Sequence, residues 1–563
     1  MTASGEGARS PHRAPGTASA LSFVPLVVML ATAAVVAAAC GGDGKPPTST
    51  ALPGTATPAE DSLPGRSLDL ADAPLLVDIV GPGKQDLADG PPTLAGGDFN
   101  GDGVQDVLIG APLADGPGDD RENGGEAYVV FGAPRPAASL DLDAGEQDVT
   151  IFGGAAGDSL GYAVLAADIN DDGTDDVIVG APGTTGQEDP RTSQGRTYIF
   201  FGSPKLAGDL DVAEGDQNVT VTGAEGFSRV GHALASGDVN GDDRPDLILG
   251  APFAGREPGT PPGSPRTEVG EAYVVLGSPS LSGEIRIPDE DHDLTLSGEQ
   301  QYSQFGEGVA SADLNGDGFD DIIVGASQAN GPEGGRAAGG AAYVFFGSSD
   351  LGRRRSIAEN QQDITIWGAS AGDSLGFPLT TADFNGDGTA DIALAARLAD
   401  GADDDRGQSG EVYVIFGRDD FADALDLASD PPDVTVLGAG VGQLLATSMS
   451  AGDVTGDEID DLILGASLSA GPGGRNGAGL VYLIEGGPEQ PGRLDLTAGD
   501  QYLTIAGAGA QDRLGGASAL ADFTGDGKDE IILLAALADG PEDARPEAGE
   551  VYALETPPGP GEP

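Results

Sequence analysis

After residue 66 the chain is a succession of short apolar runs, none long enough or periodic enough for a helix. GYAVLAAD (161–168) leads into an acidic loop, and VIVGAP (177–182) follows it. A polar Gly/Pro-rich stretch then precedes GRTYIFFG (195–202) and NVTVTG (218–223). β-Branched and aromatic runs bounded by Gly, Asp and Pro predict strands, four to each unit. The same grammar returns seven times. Its acidic loop begins at Asp98, Asp168, Asp238, Asp313, Asp383, Asp453 and Asp522, at spacings of 70, 70, 75, 70, 70 and 69 residues. A fixed period of this kind marks a repeat architecture.

Four short antiparallel strands cannot bury both faces of their own sheet, but seven such sheets arranged radially can. The expected fold is all-β: a seven-bladed β-propeller of four-stranded blades. The ends of the repeat region predict how the ring closes. The last copy stops after its third strand, EVYAL (550–554), and an orphan strand of the fourth type, LLVDIVG (75–81), precedes the first loop. That N-terminal strand is expected to complete the last blade, a three-plus-one closure. Tyr128, Tyr198, Tyr273, Tyr343, Tyr413, Tyr482 and Tyr552 share one third-strand position, which predicts packing between blades.

The loops carry the candidate chemistry. Oxygen side chains at loop positions 1, 3, 5 and 9 can converge on one point if the loop coils, with Gly at position 6 permitting the turn and the position-7 carbonyl adding a donor. The predicted ligands are Asp98, Asn100, Asp102 and Asp106 in the first copy, and Asp168, Asn170, Asp172 and Asp176 in the second. Asp238, Asn240, Asp242 and Asp246 form the third set, Asp313, Asn315, Asp317 and Asp321 the fourth, and Asp383, Asn385, Asp387 and Asp391 the fifth. Asp453, Thr455, Asp457 and Asp461 form the sixth, and Asp522, Thr524, Asp526 and Glu530 the seventh. All-oxygen ligands of flexible geometry suit Ca²⁺, up to seven ions, better than Mg²⁺, and the absence of Cys and His disfavours zinc or copper. A solvated acidic turn is the alternative for any one copy. Asp243 and Glu458 at the Gly position, with Thr at position 3 of the last two copies, predict the weakest binding in the sixth copy.

Composition adds a constraint and a destination. The 563 residues hold 92 Asp plus Glu against 27 Lys plus Arg, a net charge of −65, which argues against a nucleic-acid partner. Seven divalent ions would offset only a minor part of that charge. The rest lies largely in loops, keeps the surface soluble by self-repulsion and suits a saline habitat. Residues 1–39 carry Arg9, His12 and Arg13 and then an apolar run, Ala20 to Ala39, ending at Cys40, the only cysteine. Ala37, Ala38, Ala39 and Cys40 resemble a bacterial lipobox, with Ala37 where Leu is usual. The resemblance implies signal-peptide cleavage, lipidation of Cys40 and export to a membrane-anchored position at the cell surface or periplasmic face. An uncleaved membrane-spanning anchor is the alternative. Residues 40–66 are a Pro/Thr/Gly linker, 67–557 the propeller and 558–563 a disordered tail.

The acidic loop, followed by Gly-Ala-Pro (110–112, 180–182, 250–252) and Phe-Gly or Leu-Gly ends (131–132, 201–202, 276–277), resembles the FG-GAP repeat of the integrin α propeller and of many bacterial surface proteins. Blades four and six depart with Gly-Ala-Ser (325–327, 465–467), and blades five and seven with Ala-Ala (395–396, 535–536). The resemblance implies ligand binding on the face opposite the metal loops, by the second-to-third and fourth-to-first connections. No Arg-Gly-Asp occurs, and the integrin leg has no counterpart. The expected function is an extracellular binding or adhesion module for a protein or glycan, with no catalytic constellation identified. A propeller enzyme acting on polysaccharide (lyase or glycoside hydrolase) and a structural envelope component without a dedicated ligand remain as alternatives. His232, at the position of Tyr162, Glu307 and Phe377, is read as an ordinary strand residue near a possible channel, and His292 as a surface residue.

Overall fold

Each repeat's second strand is buried along its whole length, which requires sheet or neighbouring blade on every side of it. Asp106–Ala111, Asp176–Ala181, Asp246–Ala251, Asp321–Ala326, Asp391–Ala396, Asp461–Ala466 and Glu530–Ala535 are these strands. The computed structural model describes residues 63–87, 93–185, 193–223, 227–255, 268–287, 291–401, 405–540 and 545–555. Among them regular structure consists of strands and a few 3-10 turns, and no helix is long and apolar enough to cross a membrane. The proposed signal segment, Cys40 and the 558–563 tail lie outside the described residues.

Seven sheets form, one per repeat. Blade one runs outward from Leu94–Gly97 through Asp106–Ala111 and Glu126–Val130 to Val149–Phe152, all antiparallel. The seven innermost strands pack against one another in a closed cycle, the last against the first. Val77–Val80 pairs antiparallel with Glu550–Leu554 and so supplies the fourth strand of blade seven.

The blades have five strands, not the four expected. The connection from the third to the fourth strand of each blade contains a short polar strand that pairs in parallel with the fourth strand of the blade before it. Gly208–Asp211 lies on Val149–Phe152 in this way, and Ser139–Asp141 lies on Val77–Val80. Ser67–Asp69 does the same for blade six, on Leu503–Ala506. The N-terminal segment therefore contributes to two blades. These edge strands are three or four residues long and polar (SLD, GDLD, RLD), too short for a hydrophobic pattern to reveal.

The apolar core is seven cores, each between two adjacent blades. Tyr128 packs with Ala517, Phe523, Ile532 and Val551 of blade seven, and Tyr273 packs with Ala163 and Ile178 of blade two. The other five tyrosines of the set also pack on the preceding blade, as the repeat predicted. A buried side chain of this size contributes about 1.5–3 kcal/mol. The Gly of Gly-Ala-Pro has a packing reason: a Cβ at Gly110 would sit 2.1 Å from the Gly161 carbonyl oxygen of the next blade. Blades meet there backbone to backbone.

Polar clamps join neighbours at the rim, and the sequence reading did not find them. Arg121, in the second-to-third connection of blade one, places Nη1 and Nη2 2.8 and 2.7 Å from the two carboxylate oxygens of Asp211, at the end of the next blade's parallel strand. Arg406 grips Asp495 in the same bidentate way, at 2.9 and 2.6 Å, and its Nη1 also donates to the Gly438 carbonyl. Arg336–Asp426, Arg475–Asp69 and Arg545–Asp141 repeat the pair. The last two straddle the seam where the ring closes. Each such Arg stands four residues before a Gly (Gly125, Gly340, Gly410, Gly479, Gly549), a spacing legible in the sequence. The corresponding partner positions at the other two edges are Arg286 and Ser356, which offer no carboxylate. The second-to-third connections are thus partly structural, not only recognition loops.

Hydrogen bonds from Arg406 hold the Asp495 carboxyl down at about 2, against an ordinary 3.8. A carboxyl with a lowered folded-state pKa stabilises fully above about pH 4 and loses its contribution as pH falls through about 2. Asp495→Asn should therefore cost about 1–2 kcal/mol at pH 7, with the deficit shrinking toward zero by pH 2. Denaturant unfolding of both proteins across that range measures it.

Candidate metal centres in the acidic loops

The turn-forming residues of DFNGDGVQD (98–106) fold around their first carboxylate. Asp98 Oδ1 accepts the amides of Gly101 and Asp102 at 2.7 and 3.1 Å, and Oδ2 accepts that of Gly103 at 2.8 Å. Asp102 Oδ1 accepts the Val104 amide at 2.9 Å. Asp168, Asp238, Asp313, Asp383, Asp453 and Asp522 receive amides from their own loops in the same way. The turn needs a left-handed residue at positions 4 and 6, where Gly101 and Gly103 have φ of 72° and 85°. Asp243 (64°) and Glu458 (70°) adopt the same shape at position 6, at a cost of about 1–2 kcal/mol for a non-glycine residue. The loop of blade six keeps its fold despite Glu458.

Position 9 plays a part the sequence reading assigned wholly to metal. Asp106 is completely buried; its Oδ2 accepts the Phe99 amide at 3.0 Å and its Oδ1 the Gly132 amide at 2.9 Å, with Asn100 Nδ2 at 3.3 Å. One carboxylate thus ties the loop, the second strand and the end of the third. Asp176, Asp246, Asp321 and Asp391 make the equivalent pair of amide bonds. Asp461 binds the amides of Val454, Thr455 and Gly486, and Glu530 takes the Thr524 amide and hydroxyl. The Phe-Gly ending also acquires a cause. A Cβ at Gly132 would meet the Gln105 carbonyl oxygen at 2.1 Å, so only glycine brings this amide to Asp106.

Because positions 1 and 9 hold the backbone, the ligands do not form closed cages. Among the described residues no three Asp, Glu, His or Cys side chains converge on one point. The donor set nevertheless suits a hard cation. Burial pushes Asp106 up to about 7, and the charges of Asp102 and Asp98 add to it. Asp176, Asp246, Asp321 and Asp391 are likewise raised to about 7 by burial. A cation among these oxygens would favour the ionised form against that desolvation. Asp98, Asn100, Asp102, Asp106 and the position-7 carbonyl are the groups able to hold it, with Thr455 and Thr524 replacing Asn in the last two loops.

Adjacent loops are also joined, through position 8. Asp175 Oδ2 of blade two accepts the Asp98 amide of blade one at 2.9 Å, and the Asp175 amide donates to the Asp98 carbonyl at 3.1 Å. Asp320 clasps Asp238, and Asp460 clasps Asp383, in the same manner. Gln105 clasps Asp522 across the closing seam. The acidic pairs TDD, FDD and IDD that end these loops were the available signal. Neither described histidine belongs to a loop. His292 is buried, not on the surface as expected: its Nε2 lies 2.7 Å from Thr295 Oγ1 and its ring meets Tyr273 edge-on.

These bonds separate two roles. Asp391→Ala orphans the buried Phe384 and Gly417 amides and should cost more than about 2 kcal/mol even in chelator. Asp387→Asn, at exposed position 5, should be nearly neutral in chelator and weaken stabilisation by added cation. Denaturant unfolding of each variant with and without chelator checks both.

The FG-GAP repeat family matches residues 90–130, 160–200, 230–275, 305–345 and 379–415. The human phosphatidylinositol-glycan-specific phospholipase D is 32% identical over 210 residues, which cover 37% of this chain and 23% of that protein. Its rat counterpart is 28% identical over 405 residues, 67% of this chain and 43% of the relative. Integrin alpha pat-2 of Caenorhabditis elegans is 32% identical over 251 residues, 42% of this chain and 18% of the integrin. The chain spans less than half the length of each of these relatives. Among solved structures, BBS1N in complex with ARL6DN aligns with 85% of this chain and 96% of that one at 9% identity and a TM-score of 0.40. The chain thus contains FG-GAP repeats, five of them matched directly and in phase with two further copies, and it folds as a seven-bladed β-propeller.

Proposed function

We propose that this propeller is a calcium-stabilised binding module displayed outside the cell, taking a protein or glycan on the face opposite its acidic loops. The distribution of exposed apolar side chains carries this proposal. Phe227, Tyr302, Val441 and Leu468 are the large exposed hydrophobics among the described residues. The first three lie in fourth-to-first connections and Leu468 in a second-to-third connection, so all four share the face away from the acidic loops. Their confinement to one face, in four separate connections, is the asymmetry from which the ligand face is inferred. The relatives named integrin alpha fit a surface protein. Anchoring through Cys40 is the route the N-terminal sequence suggests.

Calcium would act as a structural ion. Extracellular calcium modules have dissociation constants of about 0.1–1 mM, and tenfold excess stabilises by roughly 1.4 kcal/mol per site. Seven such sites sum to on the order of 10 kcal/mol, comparable with the whole stability of a domain. An enzyme working at the ring's axis is the second possibility. It draws on the relative named as a phospholipase D, of which the human match covers 23%.

Chelation should lower the melting temperature by on the order of 10 °C, and millimolar Ca²⁺ should restore it. An unchanged melt in chelator would remove the structural ion. Glycan and protein arrays probed with the calcium-loaded chain should give a ligand whose binding falls in Val441→Asp and Leu468→Asp without a change in melting. Release of reducing or unsaturated ends from mixed polysaccharides would favour the enzyme, and silence in both assays the structural component.

A further inference from the structure

At the axis, the second residue of each first-strand run varies from blade to blade. Tyr162, His232, Glu307, Phe377 and Thr447 occupy this position in blades two to six. They lie at the start of their strands, on the face away from the acidic loops. The departures from Gly-Ala-Pro occur beside them. Blades one to three have Pro112, Pro182 and Pro252, whereas blades four and five have Ser327 and Arg397. Ser327 Oγ donates to the Glu307 carboxylate. The Arg397 guanidinium lies 5.2 Å over the Phe377 ring. Tyr162 Oη is 3.2 Å from His232 Nε2, with the rings 5.0 Å apart. Beside them is a cavity of about 60 Å³ lined by Gly308, Phe377, Pro378, Thr447 and Ser448.

Three properties make this cluster a site. First, Arg397 lies within electrostatic reach of Glu307, whose carboxyl burial pushes up, yet among the described residues its guanidinium makes no hydrogen bond or ion pair. Five other arginines are committed to the rim clamps, and in a chain of net charge −65 an anion is held only where a cation is unspent. Second, groups able to bond hydroxyls lie nearby: Tyr162 Oη, and the Glu307 carboxylate held by Ser327, whose Oγ is also 3.3 Å from Gln304 and from Gln328. Burial and the Arg229 charge push His232 down to about 3, so its imidazole is neutral and able to accept as well as donate. Third, the Phe377 ring gives the recess an apolar wall. An acidic peptide side chain would engage Arg397 and leave Glu307 and Tyr162 without a ligand partner, whereas a sugar acid offers vicinal hydroxyls to both.

We propose that this axial recess binds the carboxylated terminal sugar of an acidic glycan. Arg397 pairs with the carboxylate in the bidentate geometry guanidinium favours, and Glu307 and Tyr162 take ring hydroxyls. The proposal rests on this face being the ligand face and names a class of ligand for it.

Titration calorimetry on the full calcium-loaded chain with D-glucuronate, D-glucose and glutarate tests it. Glucuronate is expected to bind, with glucose and glutarate each at least tenfold weaker. Arg397→Gln and Glu307→Gln should each weaken glucuronate at least tenfold while melting as the wild type does. Should Arg397→Gln unfold the ring, the conservative Arg397→Lys, expected to fold and retain part of the affinity, supplies the comparison. Equal binding of glucose or of glutarate would overturn the proposal, as would affinity indifferent to both variants. An array ligand bound equally by wild type and Arg397→Gln would leave the binding-module function standing and remove the axial site.

Discussion

A carboxylate buried at the head of every second strand is the constraint on which the rest of this ring depends. In blades one to six Asp106 and its counterparts accept amides from the loop before the strand and from the Gly that ends the next one, while Glu530 of blade seven holds the loop alone. Without these side chains, backbone donors at the turn of each blade would be buried and unpaired, at about 1–3 kcal/mol apiece. The solution carries its own cost, because a buried carboxylate resists ionisation and two more lie beside it in the same loop. A cation bound among these oxygens would offset that cost, so one residue type accounts for the fold of the blade and for the affinity proposed for its loop.

Blades so built must still be held to one another. Tyrosines of the third strand fill the gaps between sheets, and a parallel edge strand from each following blade overlaps the outer edge of the one before. Arg–Asp pairs at the rim and the position-8 carboxylates among the loops fasten opposite sides of the same boundary. The closing seam receives the most: Val77–Val80 within blade seven, Ser67–Asp69 on blade six, and the clamps of Arg475 and Arg545. Non-covalent closure suits a chain whose single cysteine cannot form an internal disulfide.

Much of this was legible in the chain because seven copies average out local ambiguity. The spacing of Asp98 to Asp522 carried the blade number, and the orphan strand at 75–81 carried the closure. The parallel edge strands were not legible, since SLD or RLD has no apolar period and takes its structure from a neighbour distant in sequence, Val149–Phe152 for Gly208–Asp211 and Leu503–Ala506 for Ser67–Asp69. Position 9 was read as an oxygen donor to metal and not as a backbone cap, because a cap is defined by amides distant in sequence, such as Gly132 for Asp106. The axial cluster was half visible. Tyr162, His232, Glu307 and Phe377 were seen to share a position, but only the closed ring turns a shared position into a shared place.

Buried carboxylates make each acidic loop a proposed cation site. Equilibrium dialysis of the folded chain against calcium tests it most directly. Between four and seven ions per chain at millimolar calcium, with one fewer in Asp98→Asn, is the predicted result. No bound calcium at that concentration, or a stoichiometry unaffected by Asp98→Asn, would contradict it.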